Sequence, residues 1–172
     1  MMIKVVPGEL LNCNDEYIVM LNDCVHTEPK GFALDVCDAF PWADPYGERD
    51  VMNGHRDLAT ADTKSKPGSI KVYGDDREQR YVVAFFGLYS RGRPYSGDNR
   101  RKRWKDGPEE REAWFKSCLD ELAKLRPYSI GFPYKIGCRY SGGNWTKYED
   151  LLQAFADSNP KCRINMYVLP SD

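Results

Sequence analysis

The stretch FPYKIGCRYSGGNW, residues 132–145, places Gly137, Gly142 and Gly143 among Cys138, Ser141 and Asn144, directly after an apolar run. Glycine reaches backbone conformations closed to other residues and lets a ligand approach the main chain closely. N–H groups in such a loop form a concavity suited to an anion, most plainly a phosphate. Cys138 as a nucleophile would need an activating partner, and none adjoins it in sequence, so it reads as a small packed residue. A second chemically suggestive stretch is NRRKRWK, residues 99–105, where five cations flank a tryptophan able to stack on a base. A run of that length also serves as a solvated loop, a nuclear import signal, or a lure steering an anion toward a cleft.

Other chemistries are poorly served. Six cysteines, at 13, 24, 37, 118, 138 and 162, include no C-x-x-C pair, which argues for reduced core thiols over zinc or a redox motif. Two histidines, His26 and His55, are too few for a multi-histidine metal site. No metal and no cofactor is expected. A chain of 172 residues accommodates one domain with a sizeable core, and 41% hydrophobic, 30% charged and 13% aromatic residues describe a soluble globular protein. The net charge of −1 gives no global attraction to nucleic acid or acidic lipid, so nucleic acid is a possible partner but not the favoured one. No run of about 20 apolar residues is present for a membrane span, and residues 1–11 lack the pattern of a signal peptide. A cytoplasmic location is expected, or a nuclear one in a suitable host.

The elements that would position the glycine loop are legible. MIKVVP and EYIVMLND have strand character, and GFALDVCDAF sets Phe32, Val36, Ala39 and Phe40 at helical spacing before Pro41. Residues 42–66 show no sustained period and read as loop with one short helix. GSIKVYG and RYVVAFFGLYS flank DDREQ as a hairpin. In PEEREAWFKSCLDELAKL a proline starts a helix, acids follow it, and Phe115, Leu119, Leu122 and Leu125 form one face. YSIGFPY is a buried strand, TKYEDLLQAFADS a further amphipathic helix and CRINMYVLP a last strand. This alternation predicts a single domain over 1–172, an α/β fold in which a mixed central sheet is covered by helices on both faces, a three-layer α/β/α sandwich.

With that order in place, three stretches carry a resemblance. IVMLNDCVHTEPKGFALDVCDAFPWA, above all KGFA leading to FPWA after a strand ending in Asn, PGSIKVY with RYVVAFFGLYSRGRPYS, and SIGFPYKIGCRYSGGNWTKYEDLL are similar to the first ligand loop, central hairpin and second ligand loop of the macro domain family. The likeness runs from Pro7 to Leu169 and is nearest to the small stand-alone phage and cellular members that act as ADP-ribose-1″-phosphate phosphatases or O-acetyl-ADP-ribose deacetylases. It implies a macro domain-like fold that binds ADP-ribose or a derivative, and possible ADP-ribosylated macromolecular partners. The second loop would wrap the diphosphate and distal ribose through Gly137, Cys138, Arg139, Tyr140, Ser141, Gly142, Gly143 and Asn144. The first loop would close the opposite side with Lys30 and the amides of Gly31, Phe32 and Ala33 at a helix start. Asn22 or Asp23 stands where relatives place an asparagine for the distal ribose, a register the sequence leaves open.

Glu9, with Leu10 beside it in PGEL, falls where many relatives have an aspartate accepting from the adenine amino group. Phe85, with Phe86 and Tyr89 as further candidates, would stack on adenine or line its pocket, Gly87 lying next to it, although packing claims at least one of the two phenylalanines because successive strand residues face opposite sides. The sequence departs from its relatives at VHTEPK, where extra glycines are usual, so the first loop should be stiffer. Some relatives use a lysine after the central strand and an aspartate in the second loop. Here those positions are Leu88 and Ser141, so a lysine adduct is not expected. Hydrolysis would instead use bound water, with Asp23 or His26 as base and the loop amides stabilising developing charge. The alternatives are a non-catalytic ADP-ribose reader and a nucleic-acid module using residues 99–105.

Overall fold

The computed structural model describes residues 3–95 and 104–169. Its strands are β1 (Lys4–Pro7), β2 (Tyr17–Asp23), β3 (Ile70–Tyr73), β4 (Tyr81–Leu88), β5 (Ser129–Pro133) and β6 (Arg163–Val168). Its helices are α1 (Phe32–Ala39), α2 (Pro108–Ala123) and α3 (Trp145–Ser158). The strands form one sheet in the order β1-β6-β5-β2-β4-β3, parallel throughout except for β3, which pairs antiparallel with β4 at one edge. The hairpin read from the sequence is this β3–β4 pair. The irregular stretch before it contains a single 3₁₀ turn, Tyr46–Glu48.

Strand alternation divides the core in two. Tyr17, Val19, Val83 and Phe85 point to the face covered by α2 and α3, where they meet Phe115, Leu119, Leu122, Tyr148 and Leu152. Met20, Val82, Ala84 and Phe86 point to the other face, against Val36 of α1 and Cys24, Val25 and Ala43 of the irregular segments. The three layers of the expected sandwich are therefore present. Leu125 is a correction: it was assigned to the buried stripe of α2, but the helix ends at Ala123 and Leu125 is 37% exposed. Phe85 is another. It was expected to line a pocket, but it is fully buried, with its ring edge-on to Phe115 and Phe132 at centroid distances of 5.9 and 6.3 Å.

Chain direction places the carboxyl ends of β2, β4, β5 and β6 along one rim. The helix after β2 lies on one face and the helix after β5 on the other, so a crevice opens between these neighbouring strands, where open α/β sheets take ligands. No helix among the described residues is long and apolar enough to cross a membrane.

One buried ion pair ties the rim segments together. Arg111, on α2, occupies the apolar stripe of its helix and is 1% exposed. Its Nε and Nη2 donate to the two carboxylate oxygens of Asp106 at 2.8 and 2.9 Å. The remaining donors go to the carbonyls of Ser90 (2.8 Å), Gly92 (2.7 Å) and Ser141 (3.2 Å). All five N–H groups of the guanidinium are thereby used. Replacing Arg111 by Ala strands the buried Asp106 carboxylate and releases three carbonyls, a loss expected to be about 3–5 kcal/mol in chemical denaturation. Arg111→Lys should recover only a small part of it, because an ammonium cannot reach five acceptors in that plane. Stability close to that of the unchanged protein in the alanine variant would contradict this role.

Candidate functional site

The crevice at the strand ends has two lobes, each of about 670 Å³, a size suited to a small-molecule ligand. Phe32, Pro133 and Arg139 line both, so the lobes adjoin across these three side chains. The first lobe adds Asp23, Lys30, Tyr46, Leu88, Arg91 and the loop residues Gly137, Tyr140 and Ser141. The second adds Glu9, Leu10, Asp35, Asp38, Tyr134 and Tyr167. Cations thus cluster where the lobes meet and along the first lobe, while carboxylates flank an aromatic and aliphatic wall in the second.

Of the residues singled out in the sequence, Glu9, Leu10, Asp23, Lys30, Gly31, Phe32, Ala33, Gly137, Arg139, Tyr140 and Ser141 are brought together as lining. Asn22, His26, Phe85, Gly87, Cys138, Gly142, Gly143 and Asn144 line neither lobe. At the end of β2, Asp23 borders the cleft, and Asn22, 1% exposed, does not line it and has its amide on the Tyr46 hydroxyl at 3.3 Å. Gly87 is the residue skipped where β2 and β4 slip register, Asn22 pairing with Phe86 and Asp23 with Leu88. A Cβ there would come within 2.7 Å of the Leu21 side chain, so this glycine sits at the bulge against Leu21 and away from the cleft lining.

The glycine loop holds a second surprise. The amides of Cys138, Gly142 and Gly143 donate inside the loop, to the carbonyls of Lys135 (2.9 Å), Arg139 (3.2 Å) and Gly137 (3.0 Å). A Cβ on either Gly137 or Gly143 would lie 2.8 Å from the Tyr148 ring. These glycines therefore let the loop lie down on α3, and only Gly137 also borders the cleft. Asn144 caps α3, its side chain accepting from the Thr146 amide at 3.0 Å. Burial pushes the Cys138 thiol up to about 12, which leaves it an unreactive thiol at neutral pH.

The first loop is held by side chains, as its lack of glycines suggests. Asp57 Oδ1 accepts from the Thr27 amide (2.8 Å), the Thr27 hydroxyl (3.0 Å) and the Glu28 amide (2.9 Å), and its Oδ2 pairs with Arg91. Arg49, 6% exposed, donates to the carbonyls of His26 (2.6 Å) and Asp23 (2.7 Å). His26 lies between Asp57 and Ser90, with Nδ1 3.4 Å from the Asp57 carbonyl and Nε2 3.2 Å from the Ser90 hydroxyl. A carbonyl can only accept, so Nδ1 carries the proton and Nε2 accepts from Ser90. Burial lowers the His26 pKa, and Arg91, Arg49 and Lys30 add to the effect against the opposing charge of Asp23. The ring is a neutral brace between loops.

Asp23 is the carboxylate presented to the cleft. Its Oδ1 accepts from the amides of Val25 (3.1 Å) and His26 (2.8 Å), and its Oδ2 accepts from the Tyr46 hydroxyl at 3.3 Å. Tyr46, Arg49, Asp57, Arg91 and Arg111 were not found from sequence. Arg111 alone left a trace, as a cation on the apolar stripe of an amphipathic helix. Of the basic run, residues 99–103 lie outside the described residues. Trp104 packs on Tyr89 at a centroid distance of 4.9 Å. No group of three or more His, Cys, Asp and Glu among the described residues is arranged to hold a metal ion.

No protein-family model matches the chain, and no curated protein matches it by sequence. Solved structures do. The macrodomain of DarG from Mycobacterium tuberculosis superposes with a TM-score of 0.66 at 20% identity, over 96% of this chain and 97% of that one. The macrodomain of DarG from Thermus aquaticus gives 0.62 at 23% identity, over 97% and 98%. The GDAP2 macro domain gives 0.51 at 15% identity, over 96% of this chain and 76% of that one. Together with the mixed six-stranded sheet, the helices on both faces and the crevice at the strand ends, these likenesses establish that the chain has the macrodomain fold.

Proposed function

We propose that the two-lobed cleft binds ADP-ribose or a derivative of it, and that the chain hydrolyses a substituent on the distal ribose. The observation that carries this reading is the division of charge along the cleft. Lys30, Arg91 and Arg139 border the first lobe and its junction with the second, beside the first turn of α1. The Leu34 and Asp35 amides already donate to the Gly31 carbonyl, which leaves those of Phe32 and Ala33 for an anion, so the diphosphate belongs at this junction. The second lobe, with Leu10, Phe32 and Tyr167 as its walls and Glu9 as an acceptor, suits adenine and its amino group. Glu9 already holds the Asn12 side chain at 2.8 Å through Oε2, which steadies it for that contact. The distal ribose then falls in the first lobe, beside Asp23.

For hydrolysis, Asp23 orients a water molecule toward the phosphorus or acyl carbon of a distal substituent. As the water oxygen bonds to the phosphorus or acyl carbon, its proton passes to the carboxylate. Asp23 returns that proton to the ribose oxygen as the bond from that oxygen to the phosphorus or acyl carbon breaks, so that phosphate or acetate is released and the ribose leaves as a hydroxyl. No lysine adduct enters this scheme, because Leu88, 6% exposed, forms an apolar wall of the lobe. The same wall, with Ser141 in place of a carboxylate, is what favours the second reading, a reader that binds without turnover.

Calorimetric titration separates these readings from a macrodomain scaffold with another partner. Micromolar binding of ADP-ribose is expected, with AMP much weaker. Lys30→Glu, an exposed rim change, should weaken ADP-ribose by about tenfold at low salt and less at high salt, since exposed charges are screened within a Debye length. A folded protein that ignores ADP-ribose would overturn the ligand assignment. Turnover is the second prediction: release of inorganic phosphate from ADP-ribose-1″-phosphate, or of acetate from O-acetyl-ADP-ribose, reduced by about 100-fold or more in Asp23→Ala, in line with loss of a general base. Tight binding with no release from either compound would establish the reader.

A further inference from the structure

We infer that Tyr46 is a specificity-determining residue of the cleft, which aims Asp23 at a hydroxyl of the distal ribose and so sets the preference for ADP-ribose over ADP. The inference rests on the ligand reading above. Tyr46 sits in the 3₁₀ turn near the start of the irregular stretch after α1, is 3% exposed and lines the first lobe with Asp23. Its ring is fixed from one side by the Arg49 guanidinium, 4.7 Å from the centroid. Its hydroxyl lies 3.3 Å from Asn22 Nδ2 and 3.3 Å from Asp23 Oδ2.

The protons in this chain have one consistent arrangement. An amide nitrogen can only donate and a carboxylate can only accept, so the phenol accepts from Asn22 and gives its own proton to Asp23. Burial, with the Asp23 charge beside it, raises the Tyr46 pKa, which keeps the phenol protonated through the neutral range. The acceptor capacity of Asp23 can then be counted. Oδ1 holds two amides, and Oδ2 holds the phenol on one lone pair. One acceptor direction is left on the residue, and it belongs to the oxygen that Tyr46 orients, on a side chain that borders the cleft. That single direction takes one donor at a time: in the ADP-ribose complex a hydroxyl of the distal ribose, which ADP does not offer, and in hydrolysis of a substituted ribose the attacking water.

Tyr46→Phe keeps the ring beneath Arg49 and removes only the hydroxyl. Titration of wild type, Tyr46→Phe, Asp23→Asn and the double variant with ADP-ribose and with ADP tests the assignment, with thermal melting as a check on folding. Tyr46→Phe is expected to weaken ADP-ribose about tenfold and to leave ADP within about twofold. In the Asp23→Asn background the tyrosine change should cost nothing further, because it acts through that carboxylate. Equal weakening of both ligands would make Tyr46 a structural residue only, and additive losses in the double variant would remove Asp23 as its route; either overturns the inference. If wild type binds ADP and ADP-ribose equally, the distal lobe does not read ribose and the inference also fails. If wild type binds neither, the failure lies in the ligand reading itself.

Discussion

The Arg111–Asp106 pair is the constraint on which the rim of the sheet depends. An ion pair this deeply buried contributes little net stability compared with an apolar pair of the same shape, since both charges are taken out of water. Its consequence is positional. The Asp106 carboxylate accepts the amides of Tyr89 (3.1 Å) and Ser90 (3.0 Å), and Arg111 accepts no alternative geometry once its five donors are filled. The segment leaving β4 and the glycine loop leaving β5 are thus fixed to the first turn of one helix. These two segments carry Arg91, Gly92, Tyr140 and Ser141 into the lining of the first lobe. A lobe between separate loops would otherwise vary in width with each of them.

The opposite wall reaches similar rigidity by other means. The first loop lacks the glycines that would let main-chain amides satisfy one another, and the long excursion after α1 supplies the missing partners. Asp57 gathers the donors of Thr27 and Glu28, Arg49 takes the carbonyls of Asp23 and His26, and main-chain bonds join Val25 to Ala59 (2.7 Å) and Cys24 to Ser65 (2.9 Å). His26 belongs to this brace as a neutral ring, which is why a residue chosen for proton transfer is found bridging loops. A side chain whose ring nitrogens are both engaged away from a cavity has no lone pair for water within it.

Local periodicity made the fold readable. The helices and strands could be placed from apolar spacing, apart from the end of α2 at Leu125, because a period of 3.6 or 2 needs only neighbours along the chain. The errors lie where packing, rather than spacing along the chain, decides the outcome. Phe85 and Phe86 could not be assigned to faces without knowing which side of the sheet the cleft rim occupies. Gly137 and Gly143 belong to the permissive loop that the sequence suggests, but the surface they accommodate is the Tyr148 ring of the following helix. Tyr46, Arg49 and Asp57 lie in a stretch with no period, and their roles arise from partners 20 to 40 residues away, which no local pattern encodes.

The bulge at Gly87 shows how a small irregularity decides the chemistry of the site. Up to Asn22 and Phe86 the two central strands keep step, and both of these side chains belong to the α1 face. Skipping Gly87 brings Leu88 level with Asp23, so that the last residues of both strands border the first lobe. The pairing sets a carboxylate directly beside an apolar wall. Leu88 limits the water around Asp23, and a hydrogen bond to a charged acceptor in such surroundings is stronger than one made in bulk solvent. Under the proposed ligand reading, this end of the cleft would select through one well-oriented acceptor, and the cations of the first lobe would supply the affinity. Substituting a lysine-sized cation for Leu88 would not simply restore the chemistry of relatives, because it would also neutralise the acceptor that this arrangement exposes.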